Sequence, residues 1–453
     1  MARGKKKETL TPEERLQAAL MPESEQPYKV PKNWCWTYLT KGAAECLDSF
    51  RKPINASERA NREGDIPYYG ATGQVGWIDD FLTNEQLVLV GEDGAPFLDL
   101  IKDKAYIIEG KAWVNNHAHI LRSHFGTAGN LFLMHYLNIF NYHDFVNGTT
   151  RLKLTQGSMD TMPVPLPPLP EQQRIVDRIE SLFTKLDEVK QKAQDALDSF
   201  ETRKAAILHK AFTGELTVQW RKEHGVGMES WGTKKLSEVS QLQTGLMKGK
   251  HYTGQTIMLP YLRVANVQDG FLNLDEIKEI EVSAEQVERY SLVDGDVLFT
   301  EGGDYDKLGR GTVWQGEIKN CLHQNHIFVV RPHAEVLNPY FLSYQAGSRY
   351  GKQYFLKCSK QTTNLASINS AQLKGFPVLM PTIEEQVQIV SHIGDLLAKE
   401  QQAKEAAEGV LEQIYLIKKA ILARAFRGEL GTNDPGEESA VELVRQLVND
   451  ELR

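Results

Sequence analysis

The sequence contains little cysteine: four residues among 453, at Cys35, Cys46, Cys321 and Cys358. They are scattered along the chain, and no two of them form a CxxC pair. This spacing excludes a zinc module built from cysteine pairs. Such sparse cysteine usage is typical of a reducing compartment, so we expect a cytoplasmic protein.

Long hydrophobic runs are also missing. No apolar run approaches the roughly 18 residues of a membrane-spanning helix, and the N-terminal residues lack the pattern of a secretory signal peptide. We therefore expect no membrane partner. The composition is 41% hydrophobic and 25% charged, as in ordinary globular proteins. The length allows about two to four domains.

Signatures of nucleotide binding and of methyl transfer are absent as well. No G-x-x-x-x-G-K-[ST] phosphate loop occurs, which excludes ATP binding of that kind. The stretch NPY at 338–340 lacks the second proline of the N-P-P-Y motif of adenine methyltransferases. No glycine-rich GxG loop follows a predicted strand convincingly.

Two weak catalytic or metal-binding patterns remain. Asp99 with Glu109 and Lys111 has the spacing of metal-dependent nucleases, but such a match arises easily by chance in a chain with 60 acidic residues. We keep a nuclease as one alternative hypothesis. The pair His117-x-His119 lacks further ligand spacing and is interpreted as structural. We therefore predict no metal site and no cofactor in this chain.

No strong positive charge marks the chain as a nucleic-acid-binding protein. It carries 52 Lys and Arg against 60 Asp and Glu, a net charge of −8. Counted by segment, residues 34–162 have a net charge of −4 and residues 231–376 a net charge of +1. Charge alone does not predict DNA binding here, although base readout itself does not require a basic domain.

The feature that organises the chain is a long internal repeat. Residues 163–216 begin PVPLPPLPEQQRIVDRIESLF and end KAAILHKAFTGEL. Residues 377–430 begin PVLMPTIEEQVQIVSHIGDLL and end KKAILARAFRGEL, and an offset of 214 residues aligns the two copies without a gap. A repeat of this length is stronger evidence of architecture than any single short motif.

Each copy is predicted to be a long helix, because apolar residues recur at steps of three and four for more than four heptads. Two of these positions are polar, Arg203 in the first copy and Glu400 in the second, and a lone polar residue can fix the register of a coiled coil. The predicted coiled-coil interface consists of Ile175, Ile179, Leu182, Leu186, Val189, Phe200, Ile207, Ile389, Ile393, Leu396, Val410, Ile414, Ile417 and Ile421.

Both helices have defined ends. Prolines precede each start, Thr382 with Glu385 forms a capping-box pattern, and Gly214 and Gly428 supply the C-terminal stops. About 42 residues at 1.5 Å each make a rod of roughly 60 Å, which is too thin to fold alone. The simplest partner for each copy is the other copy. The alternative is that each helix packs on its own globular neighbour.

Two globular segments alternate with the helices, and landmarks recur in them. NNHAHIL at 115–121 resembles QNHIFVV at 324–330, and TTRL at 149–152 resembles TTNL at 362–365. Short apolar runs broken by Gly, Asn and Asp predict strands and turns in both. The predicted strands are 66–73, 86–91, 106–109, 119–121, 261–267, 296–300, 311–314 and 327–331, and the predicted helices are 130–140 and 339–350.

The repeat resembles the specificity subunits of type I restriction–modification systems. A proline-Glu-Gln helix start joined to an AF-x-GEL ending, repeated at domain spacing, is a specific signal, and the resemblance extends over residues 28–430. The residues that carry it are PLPPLPEQ at 165–172 with Ile175-Val176, PTIEEQ at 381–386 with Ile389-Val390, and the endings KAFTGEL at 210–216 and RAFRGEL at 424–430.

This resemblance implies a division of labour. The globular segments would be target recognition domains, each reading one half of a split sequence in double-stranded DNA. The helices would form an antiparallel coiled coil that holds the two readers apart. Two modification (methyltransferase) subunits would dock on this frame, and restriction (translocase/nuclease) subunits on the complex. The chain itself would be non-catalytic, with S-adenosylmethionine and ATP expected on the partner subunits.

The predicted fold class is therefore α+β, with two mixed α/β globular target recognition domains separated by two long helices in an antiparallel, pseudo-two-fold coiled coil. Thr11, Pro12 and Glu14 predict the start of a short N-terminal helix. The acidic C-terminal extension is interpreted as a surface appendage. The predicted segments are 1–27 (tail and short helix), 28–162 (target recognition domain 1), 163–217 (repeat helix 1), 218–376 (target recognition domain 2), 377–431 (repeat helix 2) and 432–453 (C-terminal extension).

Candidate DNA contacts are basic residues mixed with Gly, aromatic and amide side chains. Lys and Arg position phosphates, while Gln and Asn can contact adenine and Arg can contact guanine. In the first segment the candidates are Arg51, Lys52, Tyr68, Tyr69, Thr72, Asn116, His117 and Arg151. In the second they are Lys248, Lys250, His251, Tyr252, Arg263, Asn266, Arg310, Lys357, Lys360, Gln361, Thr362 and Asn364.

Each of these candidates has an alternative interpretation as part of a solvated surface loop or turn. The pairs Asn116-His117 and Asn325-His326 occupy apparent strand starts, where structural hydrogen bonding is at least as well supported as base readout. For the whole chain, the alternative of another class is a scaffold whose two domains bind protein partners without reading bases.

Overall fold

The chain divides into two compact units. Unit 1 consists of the residues up to Ala193 together with those from Gly409 onward, and unit 2 consists of Gln194–Glu408. Both repeat helices therefore contribute residues to both units, whereas the predicted boundaries treated the helices as separate segments. The computed structural model describes residues 11–99, 101–247, 255–303, 308–361 and 366–450.

The predicted helices at the start of the chain, at 130–140 and in both repeats are present, including the capping box of Thr11 and Glu14 at the first one. The predicted helix 339–350 is wrong in its bounds, because Ser348 ends one helix and caps the next. In chain order the α-helices are α1 (Pro12–Ala19), α2 (Ala56–Ala60), α3 (Gly126–Ile139), α4 (Gln156–Met159), α5 (Leu169–Asp198), α6 (Phe200–Phe212), α7 (Val218–His224), α8 (Leu236–Val239), α9 (Ala284–Tyr290), α10 (Pro339–Gly347), α11 (Arg349–Cys358), α12 (Ser370–Lys374), α13 (Ile383–Ala425) and α14 (Ala440–Asp450).

The strands are short, as the broken apolar runs predict. They are β1 (Cys35–Tyr38), β2 (Ala44–Cys46), β3 (Ile66–Gly70), β4 (Gly73–Ile78), β5 (Thr83–Asn84), β6 (Leu87–Gly91), β7 (Ala105–Ile108), β8 (Lys111–Val114), β9 (Ala118–Ser123), β10 (Val146–Asn147), β11 (Lys153–Leu154), β12 (Pro163–Leu166), β13 (Gly232–Lys235), β14 (Ser240–Thr244), β15 (Thr256–Leu262), β16 (Lys278–Ser283), β17 (Val297–Thr300), β18 (Gly302–Gly303), β19 (Gly311–Val313), β20 (Leu322–His323), β21 (Ile327–Pro332), β22 (Lys360–Gln361), β23 (Ala366–Ser367) and β24 (Pro377–Met380).

Unit 1 is built around an antiparallel sheet of strand order β2-β9-β6-β7. Successive side chains of the fully buried strand β6 point to opposite faces, so Val88 and Val90 join the core cluster beneath α3 while Leu87 and Leu89 join another cluster. A second sheet has the order β4-β3-β8-β5, in which β3 and β8 run parallel. Strand β1 pairs antiparallel with β12, immediately before α5.

Unit 2 has the same plan. Its main antiparallel sheet has the order β14-β21-β17-β19, and Val297 and Phe299 of β17 belong to the core cluster that includes Phe341 of α10. A second sheet, of order β16-β15-β20, again contains one parallel pair, β15 with β20. Strand β13 pairs antiparallel with β24, just before α13.

One pair of equivalent hydrogen bonds shows how closely the two units agree in structure. The hydroxyl of Tyr136 donates to the carbonyl of Pro163 at 2.6 Å, and the hydroxyl of Tyr350 donates to the carbonyl of Pro377 at 3.0 Å. Both residues of the second bond lie 214 positions after those of the first. The structural repeat thus extends beyond the helices into the globular segments, where little sequence is shared, and the predicted two-domain α+β fold is confirmed.

The repeat helices pack against each other within each unit. In unit 1, Ile175 and Ile179 of α5 share a core cluster with Leu422 and Phe426 from the end of the second repeat. In unit 2, Leu208 and Phe212 of α6 share a cluster with Ile389 and Ile393 of α13. The start of one copy lies beside the end of the other in both cases, so the packing is antiparallel. The two quartets are related by the offset of 214 residues.

Both of the helix-packing hypotheses are partly right, since the same clusters also contain globular core residues such as Trp34 and Phe132 in unit 1. The predicted coiled-coil interface is wrong at Val189 and Ile417, whose side chains are 45% and 43% exposed. Ile414 is buried, as are Ile175, Ile179, Ile389 and Ile393. The remaining predicted interface residues are partly buried: Leu182, Leu186, Phe200, Ile207, Leu396, Val410 and Ile421.

The two polar residues of the coiled-coil pattern, Arg203 and Glu400, form an ion pair in unit 2. The Nε atom of Arg203 lies 2.6 Å from Oε2 of Glu400. Arg203 also contacts the hydroxyl of Ser199, where the first repeat helix is interrupted between α5 and α6. The Ser199 hydroxyl itself donates to the carbonyl of Asp195 at 2.9 Å. Side-chain bonding to a helix carbonyl can bend a helix, and this bond lies at the break between α5 and α6.

A buried carboxylate lies at the start of each repeat helix. Glu385 is fully buried and accepts hydrogen bonds from Trp231 Nε1 at 3.0 Å, Thr217 Oγ1 at 2.7 Å and Arg221 Nη1 at 2.7 Å. Its counterpart in the first copy, Glu171, is equally buried.

The partners of Glu171 are Trp34 Nε1 at 2.7 Å, Asn433 Nδ2 at 2.8 Å and Thr432 Oγ1 at 3.3 Å, all of them neutral groups. In each unit, therefore, the stretch that follows the GEL ending of one copy holds the carboxylate at the start of the other. The C-terminal extension is part of this arrangement, and its interpretation as a surface appendage is wrong. Helix α14 buries Val444 against α1 as well.

Candidate nucleic-acid interface

One edge of unit 1 gathers the ends of several strands. The amide of Asn115, after β8, donates to the carbonyl of Tyr69 in β3 at 3.1 Å. The amide of Glu92, after β6, donates to the carbonyl of His117 at 2.8 Å. A Cβ atom on Gly91 would come within 3.1 Å of the Ala71 carbonyl, so the turn between β3 and β4 also lies here. Residues remote in sequence therefore share one edge.

His117 is held at this edge by an acidic residue. Its Nδ1 atom lies 2.7 Å from Oδ1 of Asp93, and its backbone amide donates to Oδ1 of Asn115 at 2.8 Å. Arg151 donates to the same Asp93 oxygen at 2.9 Å. The His117 and Arg151 side chains are 40% and 61% exposed. Imidazole and guanidinium thus stand side by side at the surface, next to the exposed Asn116.

A buried ion network lies behind this edge. Nδ1 of His119 is 2.6 Å from Asp48, and Nε2 is 2.9 Å from the carbonyl of Leu154, so both ring nitrogens face oxygen atoms. Arg51 pairs with Asp48 at 2.9 Å and also with Glu92. Burial opposes ionisation of Asp48, but the hydrogen bond and charge of His119 outweigh it and lower the pKa of that carboxyl.

Three residues of the same network are close enough together to be considered as a metal site. Single ligand atoms of Asp48, Glu92 and His119 lie within 4.8 Å of one another. The cations Arg51 and Lys153 already neutralise the two carboxylates, with Lys153 2.9 Å from Glu92. Lys153 and Arg51 hold the pKa of Glu92 below its usual range despite the opposing effect of burial. The donor set therefore serves protein contacts and is not assigned to a metal.

The structure separates the predicted DNA contacts of unit 1 into two groups. Tyr68 is only 1% exposed and its hydroxyl hydrogen-bonds within the core to the backbone of Ile54, so its selection as a DNA contact is not supported. Arg51 is engaged in the ion network, which corrects its assignment as a phosphate contact. The remaining predicted contacts reach the surface at least in part: Lys52, Tyr69, Thr72, Asn116, His117 and Arg151.

Unit 2 forms the equivalent edge. The amide of Glu301, after β17, donates to the carbonyl of His326 at 2.9 Å, as Glu92 does to His117 in unit 1. The amide of Asn325 donates to the carbonyl of Leu246 at 2.9 Å. A cleft of about 450 Å³ opens here, lined among others by Glu301, Asn325, His326 and Asn369.

His326 repeats the geometry of His117. Its Nδ1 atom lies 2.5 Å from Oε2 of Glu301, and its side chain is 52% exposed. Lys360 of β22 lies two strands away from Gly302 of β18, because both residues pair with Ser367 of the intervening strand β23. Lys360 is exposed. A carboxylate-bound histidine therefore marks the same edge in both units.

Several predicted contacts of unit 2 are structural. Asn266 is 3% exposed and donates to the carbonyls of Asn273 at 2.8 Å and Glu276 at 3.1 Å, so its selection as a base contact is not supported. Arg263 pairs with Glu276 at 3.1 Å. Arg310 is partly buried and reaches Gln268 at 3.4 Å.

Lys357, like Lys360, is exposed. Gln361 lies in β22, at the same edge as Lys360. Six predicted contacts lie outside the described residues: Lys248, Lys250, His251, Tyr252, Thr362 and Asn364.

Residue selection from sequence missed Asp93 and Glu301, and it left His326 out of the candidate contacts although the pair Asn325-His326 was recognised at a strand start. The repeated Asn-His pair at a strand start was a usable signal for His326. The acidic partners gave no such signal, since each is one of many carboxylates and reaches its histidine only through strand pairing. The nuclease pattern gains no support, because within the described ranges no hydrogen bond or ion pair joins Asp99, Glu109 and Lys111.

Comparison with protein families agrees with these two matched halves. The family model described as "Type I restriction modification DNA specificity domain" matches residues 45–198 and 228–408. The chain belongs to this family. The two matches correspond to the two globular segments with the helices that follow them, so one family domain occurs twice in this chain.

Individual relatives have low sequence identity to this chain but match it over most of its length. The EcoKI specificity subunit of Escherichia coli K12 is 26% identical over 336 residues, which is 70% of each chain. A putative type I restriction enzyme specificity subunit of Haemophilus influenzae is 25% identical over 358 residues, 77% of this chain and 84% of the relative.

The crystal structure of the HsdS subunit from Thermoanaerobacter tengcongensis has the same fold, with a TM-score of 0.57 at 19% identity. The likeness covers 90% of this chain and all of that one. Among the described helices none combines the length and the apolar character that crossing a membrane requires.

Proposed function

We propose that this chain is the DNA-recognition subunit of a type I restriction–modification complex and that each globular segment reads one half of a bipartite target. The observation that carries the proposal is the repetition of one polar edge on one topology in both units, within a family of DNA specificity domains. The two edges carry different side chains around a common backbone. The two half-sites therefore need not be identical.

The repeat helices are proposed to set the spacing between the half-sites. Two weak readers joined by a stiff connection bind more tightly than either alone, because the second contact becomes intramolecular. The same helices are proposed to dock two modification subunits, with restriction subunits joining the complex. Methyl transfer and cleavage would then belong to those partners, as would S-adenosylmethionine and ATP, and the complex would act in the cytoplasm.

Phosphate neutralisation is proposed to be shared with the partners. The net charge of the chain is −8, and several of its arginines, such as Arg51 and Arg331, are committed to internal ion pairs. Base readout needs only a few placed donors and acceptors, whereas phosphate contacts supply affinity that depends on salt. The isolated chain should accordingly bind DNA weakly.

The decisive experiment uses the chain assembled with its modification subunit. Selection of bound duplexes from a random pool should yield two short conserved blocks separated by a fixed number of unspecified base pairs. Equal binding of selected and random duplexes would overturn the proposal and favour the scaffold hypothesis. Metal-dependent cleavage by the isolated chain, abolished in Glu109→Ala, would instead revive a nuclease.

The spacing function has its own test. Inserting seven residues into both repeat helices lengthens each by about 10 Å, or roughly three base pairs at 3.4 Å per pair. The selected duplexes should then show a spacer lengthened by about three base pairs, or specific binding should be lost. An unaltered spacer would contradict the proposed role of the helices.

A further inference from the structure

We propose that His117 and His326 are matched specificity-determining residues, each contacting one base edge in its own half-site through the Nε2 atom. The inference rests on the proposed function. It adds which protein atom contacts the base and from which groups of the base that atom accepts a hydrogen bond. Both histidines stand at the same place in the fold, immediately before the central strands β9 and β21. Each follows an asparagine, Asn116 or Asn325.

The backbone places the two rings equivalently. The carbonyls of His117 and His326 accept from the amides of Glu92 and Glu301, at 2.8 and 2.9 Å. Glu92 and Glu301 each come directly after their strand, β6 or β17, and their own carbonyls accept from Leu154 and Ile368, at 2.7 and 2.8 Å. The correspondence therefore includes both sides of the edge and does not depend on sequence similarity alone.

The acidic partner decides which ring nitrogen carries the proton. A carboxylate can only accept, so the short contacts to Asp93 and Glu301 place a proton on Nδ1 of His117 and of His326. In the neutral ring the Nε2 atom is then an acceptor. Both side chains are about half exposed, which leaves that acceptor available at the surface.

An acceptor in the major groove selects particular bases. Cytosine offers its N4 amino group and adenine its N6 amino group, whereas guanine offers the acceptors N7 and O6. The geometry therefore predicts that each ring contacts the amino group of a cytosine or an adenine on one particular strand, at one position of its half-site. In unit 1 the exposed Arg151 donates to the same Asp93 oxygen that His117 contacts, and it is suited to an adjacent phosphate.

The test measures base preference one position at a time. The complex with the modification subunit is assayed on duplexes that differ from the selected target at single base pairs. His117→Ala should reduce discrimination about tenfold at one position in one half-site, and His326→Ala should do so in the other half-site. Asp93→Asn and Glu301→Gln should relax the same two positions, because an amide does not fix the proton on Nδ1.

Matched controls separate this reading role from loss of folding. His143→Ala in unit 1 and His224→Ala in unit 2 remove exposed histidines elsewhere on each unit and should leave all preferences unchanged. Preferences altered equally in both half-sites, or altered at no position while the wild-type complex still selects a bipartite target, would overturn the inference. A wild-type complex without any bipartite preference would instead overturn the proposed function on which the inference rests.

Discussion

Units 1 and 2 share a backbone plan but differ in the chemistry that supports it. His119 lies opposite Val90 in unit 1, and Phe328 lies opposite Phe299 at the corresponding place in unit 2. The first position holds a buried ion network, and the second holds part of an aromatic core. The comparison teaches that strand pairing fixes this edge, while the interior behind it can change from ionic to apolar. Two readers can therefore diverge without losing a common frame.

The largest difference should appear at the buried carboxylates. Glu385→Gln removes the partner of Arg221, which is almost fully buried, and should cost about 3–5 kcal/mol of unfolding free energy. Glu171→Gln leaves only neutral donors and should cost about 1–2 kcal/mol. Urea unfolding, with hydrogen exchange to assign the loss to a unit, measures both.

Glu384→Gln is the control for these variants, because that neighbouring side chain is exposed. Its unfolding free energy should fall only slightly, by the effect of a single exposed charge at a helix N-terminus, and by less than for either buried glutamate. Equal losses of unfolding free energy for Glu385→Gln and Glu171→Gln would show that leaving buried Arg221 without a carboxylate partner adds no cost. The proposed electrostatic difference between the two units would then be wrong.

A pH dependence of intermediate size is expected from His323 in unit 2. Burial lowers the pKa of His323 from 6.5 to about 4. The unfolded chain takes up a proton as the pH falls through 6.5, but the folded unit does not until near pH 4. Stability is therefore full above pH 6.5 and falls below it, by about 2 kcal/mol at pH 5.

The residue at the corresponding ladder position of unit 1 is Val114, which does not titrate. His323→Val should therefore remove this acid-sensitive component from urea unfolding of unit 2. Hydrogen exchange at pH 7.5 and pH 5 would assign the change. A variant as acid-sensitive as the wild type would show that another group is responsible.

The smallest effect is expected at the ion pair of the coiled coil. Arg203 and Glu400 are 35% and 22% exposed, so solvent screens their attraction. The unit 1 positions related to them by the repeat are Leu186 and Ile417. A double-mutant cycle with Arg203→Ile and Glu400→Leu should give a coupling of at most about 1 kcal/mol. A coupling several times larger would mean that the pair does more than fix register.

Much of the fold could be predicted because its signals are local or repeated. The helix stops at Gly214 and Gly428 both have positive φ, at 79° and 73°, as C-terminal glycines do. Strands β6, β17 and β21 match their apolar runs to within one residue. The run at 261–267 was only partly right, since β15 ends at Leu262 and a 3-10 turn follows.

The site was harder to predict because its contacts join distant residues. Asp93 and His117 are 24 residues apart, and Glu301 and His326 are 25 apart. In the sequence, Tyr68 and Thr72 are both hydroxyl-bearing residues near a glycine. Only their places in the folded strands show that Tyr68 is buried and Thr72 is exposed. Arg51 could be recognised as internal only once Asp48 and Glu92 were placed beside it.

The discontinuity of unit 1 has a consequence for synthesis on the ribosome. All residues of unit 2 lie between Gln194 and Glu408, whereas the core of unit 1 needs Phe426 and its buried carboxylate needs Asn433. The reader encoded later is therefore complete first. The one encoded earlier must wait, with part of its hydrophobic surface uncovered, until the residues through Asn433 have been translated.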